Sequence, residues 1–283
     1  SDKKDSTTEA LNYLEYRYPF NKRYLISLER FAENAGLDVD SYKASAFGSL
    51  PPATNRKKTL RKVQQLLSPY PMIQGLTVDQ IIKILEQELS TKEAKKYAYE
   101  LHKQTYETLN EDFVESYLYE ENDHIFEDKT GEILRAIGFE VEMRPKIKGV
   151  ETEIEILFHV DEKTICIIDA KNYKEKFPLS ASLASHMGSE YIPNYHGYGG
   201  KSVAYFGYVT ANKFSGVRNL NKITEKAKSM NSEINASGAI ISAKALLGFL
   251  DYCLEHNLDK EDRKEKFIEL FNNKGYDNVA EML

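Results

Sequence analysis

The segment between residues 153 and 171 constrains the fold more than any other part of the chain. Two β-rich runs, Glu153 to Val160 and Thr164 to Lys171, are separated only by Asp161-Glu162-Lys163, which predicts a hairpin. With Glu162 in the middle of a three-residue loop, paired residue numbers sum to twice 162, so Glu155 opposes Asp169 and Glu153 opposes Lys171. Opposed side chains share a face with Cβ atoms about 5 Å apart, and side chains two apart on one strand share it too. The register therefore predicts Glu153, Glu155, Asp169 and Lys171 together, at the end of the hairpin away from its turn. The other face, Ile154, Ile156, Ile168 and Ala170 continued by Phe158 and Cys166, is apolar and calls for a covering helical layer.

Three carboxylates and one ammonium among largely apolar neighbours are costly to bury unless they bind something. Like charges opposed on a sheet also destabilise it. A hard divalent cation removes that repulsion, and Mg²⁺ takes one or two carboxylates together with water and substrate phosphates. Such an ion lowers the pKa of a bound water and neutralises developing charge, while Lys171 orients the nucleophile or stabilises the transition state. This chemistry is phosphodiester hydrolysis. The competing reading is a solvated sheet surface with Glu153 and Lys171 as a cross-strand ion pair.

The flanking pattern places the hairpin in an α/β sandwich. A helix from about Asp123 to Ile137, ending at Gly138, precedes a short strand from Phe139 to Met143. After the hairpin come a helix with Leu179, Leu183, Met187 and Tyr191, a strand from Val203 to Thr210, a helix through Leu220, Ile223 and Ala227, and a strand from Gly238 to Ser242. From Ala243 onward the sequence reads as helical. Upstream, a helix is predicted from Arg23 to Ala35 and a breaking loop from Phe47 to Thr54. Capping boxes at Thr77-Val78-Asp79-Gln80 and Ser90-Thr91-Lys92-Glu93 open two further helices. The expected division is an all-helical domain over residues 1–118, for DNA recognition or regulation, and an α/β domain with a mixed sheet over 119–283.

The 283 residues have ample apolar content, 41%, for a real core, and no apolar run long enough to span a membrane. The net charge of −6 does not announce a nucleic-acid binder, but carboxylates gathered for a metal make overall charge a poor guide to local basic patches. Ser1-Asp2-Lys3-Lys4-Asp5 shows neither an initiator Met nor a signal-peptide stretch, and the two cysteines, Cys166 and Cys253, stand apart among apolar residues. Core thiols and a cytoplasmic protein are expected.

Glu155, then Asp169-Ala170-Lys171, resembles the acid, acid-x-Lys signature of the PD-(D/E)xK nuclease superfamily, whose αβββαβ core has the element order read above. The context is more specific. Ile167 to Tyr173, Phe177 to Tyr191, Tyr208-Val209-Thr210 through Phe214-Ser215-Gly216, Ile223-Thr224, and Gly238 to Ser242 before Leu246-Leu247 resemble the cleavage domain of type IIS restriction endonucleases of the FokI kind, over about residues 122–275. The resemblance implies Glu155 and Asp169 as metal-binding acids, Lys171 as the catalytic lysine and the Ala170 carbonyl as a further ligand. Glu153 stays open as an alternative first acid. It also implies Mg²⁺, with Mn²⁺ as a substitute, double-stranded DNA as substrate, 5′-phosphate ends, and a second copy or partner nuclease subunit for double-strand cleavage. Ser185 and Ser189 stand near the positions where that family carries the Asp and Arg that pair across its dimer. A nicking or heterodimeric restriction subunit, or an inactive DNA-binding or assembly protein with the same fold, are the alternatives.

Superfamily nucleases often aim a helix glutamate at the metal, which makes Glu127 a candidate, with Glu132 behind it. Asn172, Lys174 and Lys176, just past the catalytic strand, are candidate DNA contacts, as is the cluster Arg56-Lys57-Lys58 with Arg61-Lys62. His186 is read as a solvent-facing or hydrogen-bonded histidine. Gly197-Tyr198-Gly199-Gly200-Lys201-Ser202 fails the phosphate-loop pattern, since Tyr195 occupies the first glycine position and a strand follows.

Overall fold

The computed structural model describes residues 54–73, 75–102 and 109–283. The expected helix Arg23 to Ala35, the loop from Phe47 up to Thr54, and the side chains of Arg56, Lys57 and Lys58 lie outside what is described. The chain forms two compact units, Ser1–Glu115 and Ser116–Leu283. Among the described residues no helix is long and apolar enough to cross a membrane.

In the first unit, helix α1 (Thr54–Leu67), α2 (Val78–Leu85) and α3 (Thr91–His102) bury Val63, Leu67, Ile81, Leu85, Ala94, Tyr97 and Ala98 against one another. Both expected capping boxes form. The Thr77 hydroxyl accepts from the Gln80 N–H while the Gln80 side chain accepts from the Thr77 N–H, and Ser90 and Glu93 make the reciprocal pair. Helix α4 (Glu111–Leu118) leads to the second unit.

The second unit is a mixed six-stranded sheet between helices. Helix α5 (Asp123–Ile137) is capped by Asn122, whose side chain accepts from the Ile125 N–H, and stops at Gly138 with φ 131°, a conformation that favours glycine. Strands β1 (Glu140–Met143), β2 (Ile156–His159) and β3 (Thr164–Lys171) pair antiparallel in turn. After β4 (Phe177–Pro178), α6 (Ala181–His186), a π-helical turn (Met187–Tyr191) and α7 (Ile192–Tyr195), strand β5 (Ser202–Thr210) runs parallel to β3. The two-residue β6 (Phe214–Ser215) pairs only with β4, and α8 (Asn219–Met230) leads to β7 (Ser237–Ser242), parallel to β5. Helices α9 (Ala243–Glu255) and α10 (Lys260–Ile268) and strand β8 (Lys274–Tyr276) complete the order β1-β2-β3-β5-β7-β8.

One side of the sheet packs Leu157, Ile165, Ile167, Phe206 and Tyr208 under α6 to α8, through Met187, Ile192, Leu220 and Ile223. On the other, Phe158 joins an aromatic cluster with Phe139, Phe267 and Phe271, which Phe249 extends. Both faces of the central strands are therefore buried, as a strand flanked by parallel neighbours requires.

Three expectations need correction. The first hairpin strand begins at Ile156, not Glu153, because the chain bends at Glu155, and Ile154 consequently joins the Leu157, Ile165 and Ile167 side instead of that of Ile156. The helix expected from Phe177 is a short strand, then α6 capped by Ser180, then a π turn. The C-terminal region is not wholly helical, since Lys274-Gly275-Tyr276 adds a parallel edge strand beside β7. The hairpin register itself, Ile156 opposite Ile168 through His159 opposite Ile165, sums to twice 162.

Candidate active site

The unequal lengths of β2 and β3 build the site. β3 stays paired with β5 up to Lys171 opposite Thr210, whereas its pairing with β2 ends at Ile168. Asp169, Ala170 and Lys171 thus line an edge that β2 has vacated. Successive carbonyls on a strand point to opposite sides. The Lys171 carbonyl accepts from the Ala211 N–H on the β5 side, so the Ala170 carbonyl points to the vacated side.

Glu155, at the bend before β2, returns to this gap. Its backbone carbonyl accepts from the Arg144 N–H at 2.8 Å, which holds the bend against the end of β1. The Lys171 ammonium lies 2.5 Å from Asp169 Oδ1 and 3.9 Å from Glu155 Oε1. Asp169 is buried and Glu155 half-buried; Glu155 Oε2 is shielded from solvent without a hydrogen-bond partner, and Asp169 Oδ1 is held by the Lys171 ammonium alone. Burial and the neighbouring Asp169 charge push Glu155 up to about 9. Burial likewise raises Asp169, against the pull of Lys171. Burial alone would lower Lys171, but the Asp169 and Glu155 carboxylates outweigh it and keep the amine protonated. Two acids drawn out of water and contending for negative charge, with one ammonium between them, are a site short of positive charge.

That donor set suits a hard divalent ion. Two carboxylates and a backbone carbonyl match what Mg²⁺ takes from protein, water completing its shell. Among the described residues no group of three or more His, Cys, Asp or Glu gathers as a metal cluster, so any ion here is held by few protein ligands.

The remaining candidates divide. Glu153 does not join the gap and does not pair with Lys171; it lies 3.9 Å from Lys146 at the surface. The bend at Glu155 breaks the alternation that would have brought Glu153 to the same face. Glu127 is buried behind the site, where its charge bears on Asp169, but Oε2 is engaged by Arg144 at 3.1 Å from Nε and 2.6 Å from Nη2, and by His124 at 3.1 Å. Glu132 is paired with Arg135. Asn172 is half-buried, and Lys174 and Lys176 are exposed on the loop leaving β3, with Lys174 3.9 Å from Glu121. Asn212 braces this loop by donating to the Tyr173 and Lys174 carbonyls. His186 pairs with Glu190 at 3.1 Å.

Three residues beside the acids lie outside the acid, acid-x-Lys signature, although Tyr191 and Tyr208 belong to segments that carry the wider resemblance. Arg144 holds both Glu127 and, through its backbone, Glu155; its φ of 49° is unusual for a non-glycine residue. Tyr208, opposite Asp169 on β5, is buried beneath the acids. Tyr191, on the π turn, is close enough for its phenol to feel the charges of Asp169, Glu155 and Lys171. Tyr208 is brought in by strand pairing with β3, and Tyr191 by the packing of α6 to α7 on the sheet.

A family model described as "FokI, cleavage domain" matches residues 75–274, which extends the likeness upstream of residue 122 into α2 and α3. Among solved structures, restriction endonuclease FokI bound to DNA is similar at 19% identity and a TM-score of 0.43, covering 69% of this chain and 35% of that one. A second structure of restriction endonuclease FokI is similar at 15% identity and a TM-score of 0.42, covering 82% of this chain and 50% of that one. The chain thus spans half or less of the FokI chains it matches. No curated protein matches.

Proposed function

This chain belongs to the FokI cleavage-domain family, and from that premise and the site's geometry we propose that it is a Mg²⁺-dependent endonuclease of the type IIS restriction kind. It hydrolyses phosphodiester bonds of double-stranded DNA to leave 5′-phosphates, in the cytoplasm. The observation that carries the reading is the convergence of the Glu155 and Asp169 carboxylates on the Lys171 ammonium at an open strand end, with Glu155 Oε2 shielded from solvent and without a hydrogen-bond partner.

Glu155, Asp169 and the Ala170 carbonyl would hold the ion, with Mn²⁺ able to replace Mg²⁺. A divalent ion bound there supplies an acidified water and positive charge beside the phosphoryl oxygens. Lys171, kept protonated by the two acids, is a donor rather than a base: it orients the attacking oxygen and stabilises negative charge on the phosphoryl group. Glu127, fixed by Arg144, adds negative potential behind Asp169 and so favours capture of a cation. Asn172, Lys174 and Lys176 contact the DNA backbone beside the scissile bond. The helical unit serves DNA recognition or regulation.

One such site cuts one strand, so double-strand cleavage requires a second copy or a partner nuclease subunit. The test is incubation of supercoiled plasmid and phage DNA with wild type and Lys171→Ala, in Mg²⁺, Mn²⁺ or EDTA. Linear product with 5′-phosphate ends from wild type in either metal, with none in EDTA and none from Lys171→Ala despite retained DNA binding, is the expected result. Open circles alone would identify a nicking subunit. Absence of cleavage by wild type in every condition would refute the assignment.

A further inference from the structure

The helical layer over the site presents Tyr191, a polar side chain that the proposed reaction has not used. Ala184, Met187, Tyr191 and Tyr195 form a stripe on the face of α6, the π turn and α7 that packs on the sheet. The π turn is made by the Ile192 N–H donating to the Met187 carbonyl five residues back, a wider loop of backbone than an α-helix has. The segments on either side of Tyr191 are pinned close to the acids. Upstream, the Leu183 carbonyl receives the Tyr208 hydroxyl at 3.5 Å, and Tyr208 is the β5 neighbour of Asp169. Downstream, the Tyr195 hydroxyl accepts from the Ile154 N–H at 3.1 Å and donates to the Pro145 carbonyl at 2.6 Å, and Ile154 immediately precedes Glu155. Tyr191 stands between these two anchors on the sheet-facing stripe, within range of the Asp169, Glu155 and Lys171 charges.

Its ring is fixed and its hydroxyl is not used. The ring meets His186 edge-on at 4.6 Å, and His186 is held in turn by Glu190 at 3.1 Å. Among the described residues the Tyr191 hydroxyl has no hydrogen-bond partner. We propose that Tyr191 is a further catalytic residue of this site, its phenol O–H donating to a non-bridging oxygen of the phosphodiester beside Lys171. Burial and the Asp169 and Glu155 charges push the phenol up to about 12, so it is a donor throughout the working range. A tyrosine suits this position because it presents a neutral donor. A second cation would pair with the acids and compete with the metal, whereas a phenol adds a hydrogen bond to the phosphoryl oxygen without doing so.

This inference rests on the nuclease reading, and the experiment separates the two. Tyr191→Phe removes one oxygen and keeps the ring. Single-turnover cleavage is measured for wild type, Tyr191→Phe and Lys171→Ala on a metal-activated duplex, alongside DNA affinity in Ca²⁺, the thermal shift on adding Ca²⁺, and the melting temperature. The expected outcome is a rate lowered about 10- to 100-fold in Tyr191→Phe, the size of one donor to a charged oxygen, with the other three measurements unchanged. On a substrate with a phosphorothioate at the scissile position, one of the two diastereomers should show a smaller penalty for losing the hydroxyl, because its donor contact is already weakened. A Tyr191→Phe rate equal to wild type, while Lys171→Ala is dead, overturns the role of Tyr191 and leaves the nuclease standing. A slower rate that comes with a lost Ca²⁺ shift or a lower melting temperature overturns it too, since the phenol would then be supporting the acids and not the phosphate. A wild type that cleaves nothing removes both proposals together.

Discussion

Arg144 grips Glu127 with two guanidinium nitrogens, Nε at 3.1 Å and Nη2 at 2.6 Å from the same carboxylate oxygen, while its own backbone N–H donates to the Glu155 carbonyl. One residue thereby ties the start of α5, through Glu127, Asp128 and the His124 carbonyl, to the bend that delivers the first acid. Glu127 is buried, so removing its partner leaves a charge without compensation. Arg144→Ala should cost about 2–4 kcal/mol of stability by urea denaturation. Adding Glu127→Gln to it should recover part of that loss. Additive losses in this double-mutant cycle would mean that the two side chains do not depend on each other.

The contest for charge between Glu155 and Asp169 makes a prediction about pH. Glu155 is raised to about 9 in the folded protein, against an unfolded carboxyl near about 4.3. Between those values the folded state holds a proton that the unfolded state has lost, so stability is fully present below the lower value and declines as pH rises toward the upper one. In EDTA, wild type should melt at progressively lower temperature from pH 5 to pH 9, and Glu155→Gln should flatten that slope and be the more stable protein at pH 8. Mg²⁺ should restore the wild type and leave the variant unmoved. A wild-type melting temperature that is level over this range would contradict a retained proton.

How much of this was legible in the sequence depended on whether the cause was local. The hairpin register follows from period-two alternation and a three-residue connection, both of which are local, and it pairs Ile156 with Ile168 where their numbers place them; Glu155 lies just beyond the ladder and meets Asp169 and Lys171 from the bend. The bend at Glu155 is not local. It arises where the Arg144 and Tyr195 contacts hold residues 154 and 155 off the β3 ladder, and it sends Ile154 inward and Glu153 to the surface. The strand at Lys274-Gly275-Tyr276 carries no apolar run of its own. It exists because β7 offers an unpaired edge and because Gly275 leaves room for the Phe214 ring and Val217. Likewise the π turn and Tyr191 reach the site only through packing against Tyr208 and the sheet, for which the motif has no counterpart.

Gly216 is a position where the backbone permits little else. Its φ is +84°, and a Cβ there would collide with the Leu179 carbonyl oxygen, which is main chain and cannot swing aside. The same short stretch holds β4 on β6, with the Leu179 N–H donating to the Ser215 carbonyl, just before the cap of α6. Gly216→Ala should therefore cost about 2–4 kcal/mol and lower cleavage with it, because the entry of the helical layer over the site shifts. A variant with wild-type melting temperature would show that the β4–β6 pair can open at little cost.

The loop from Asn172 to Lys176 leaves β3 directly after Lys171 and is braced from below by Asn212. Lys174 is 83% exposed and its distance to Glu121, 3.9 Å, is that of a weak surface pair, so its ammonium is available to a phosphate at small cost. If Lys174 and Lys176 each neutralise one DNA phosphate, replacing either by alanine removes one set of released counterions. The slope of log affinity against log salt should then become shallower by about 0.9 per substitution. Cleavage at saturating DNA should stay within about two-fold of wild type, since neither amine reaches the acids in the way Lys171 does. Asn172→Ala should leave the slope unchanged, as a neutral amide releases no counterion. Salt slopes equal to wild type in both lysine variants would assign these residues to solvation and move the DNA path to another face of the loop.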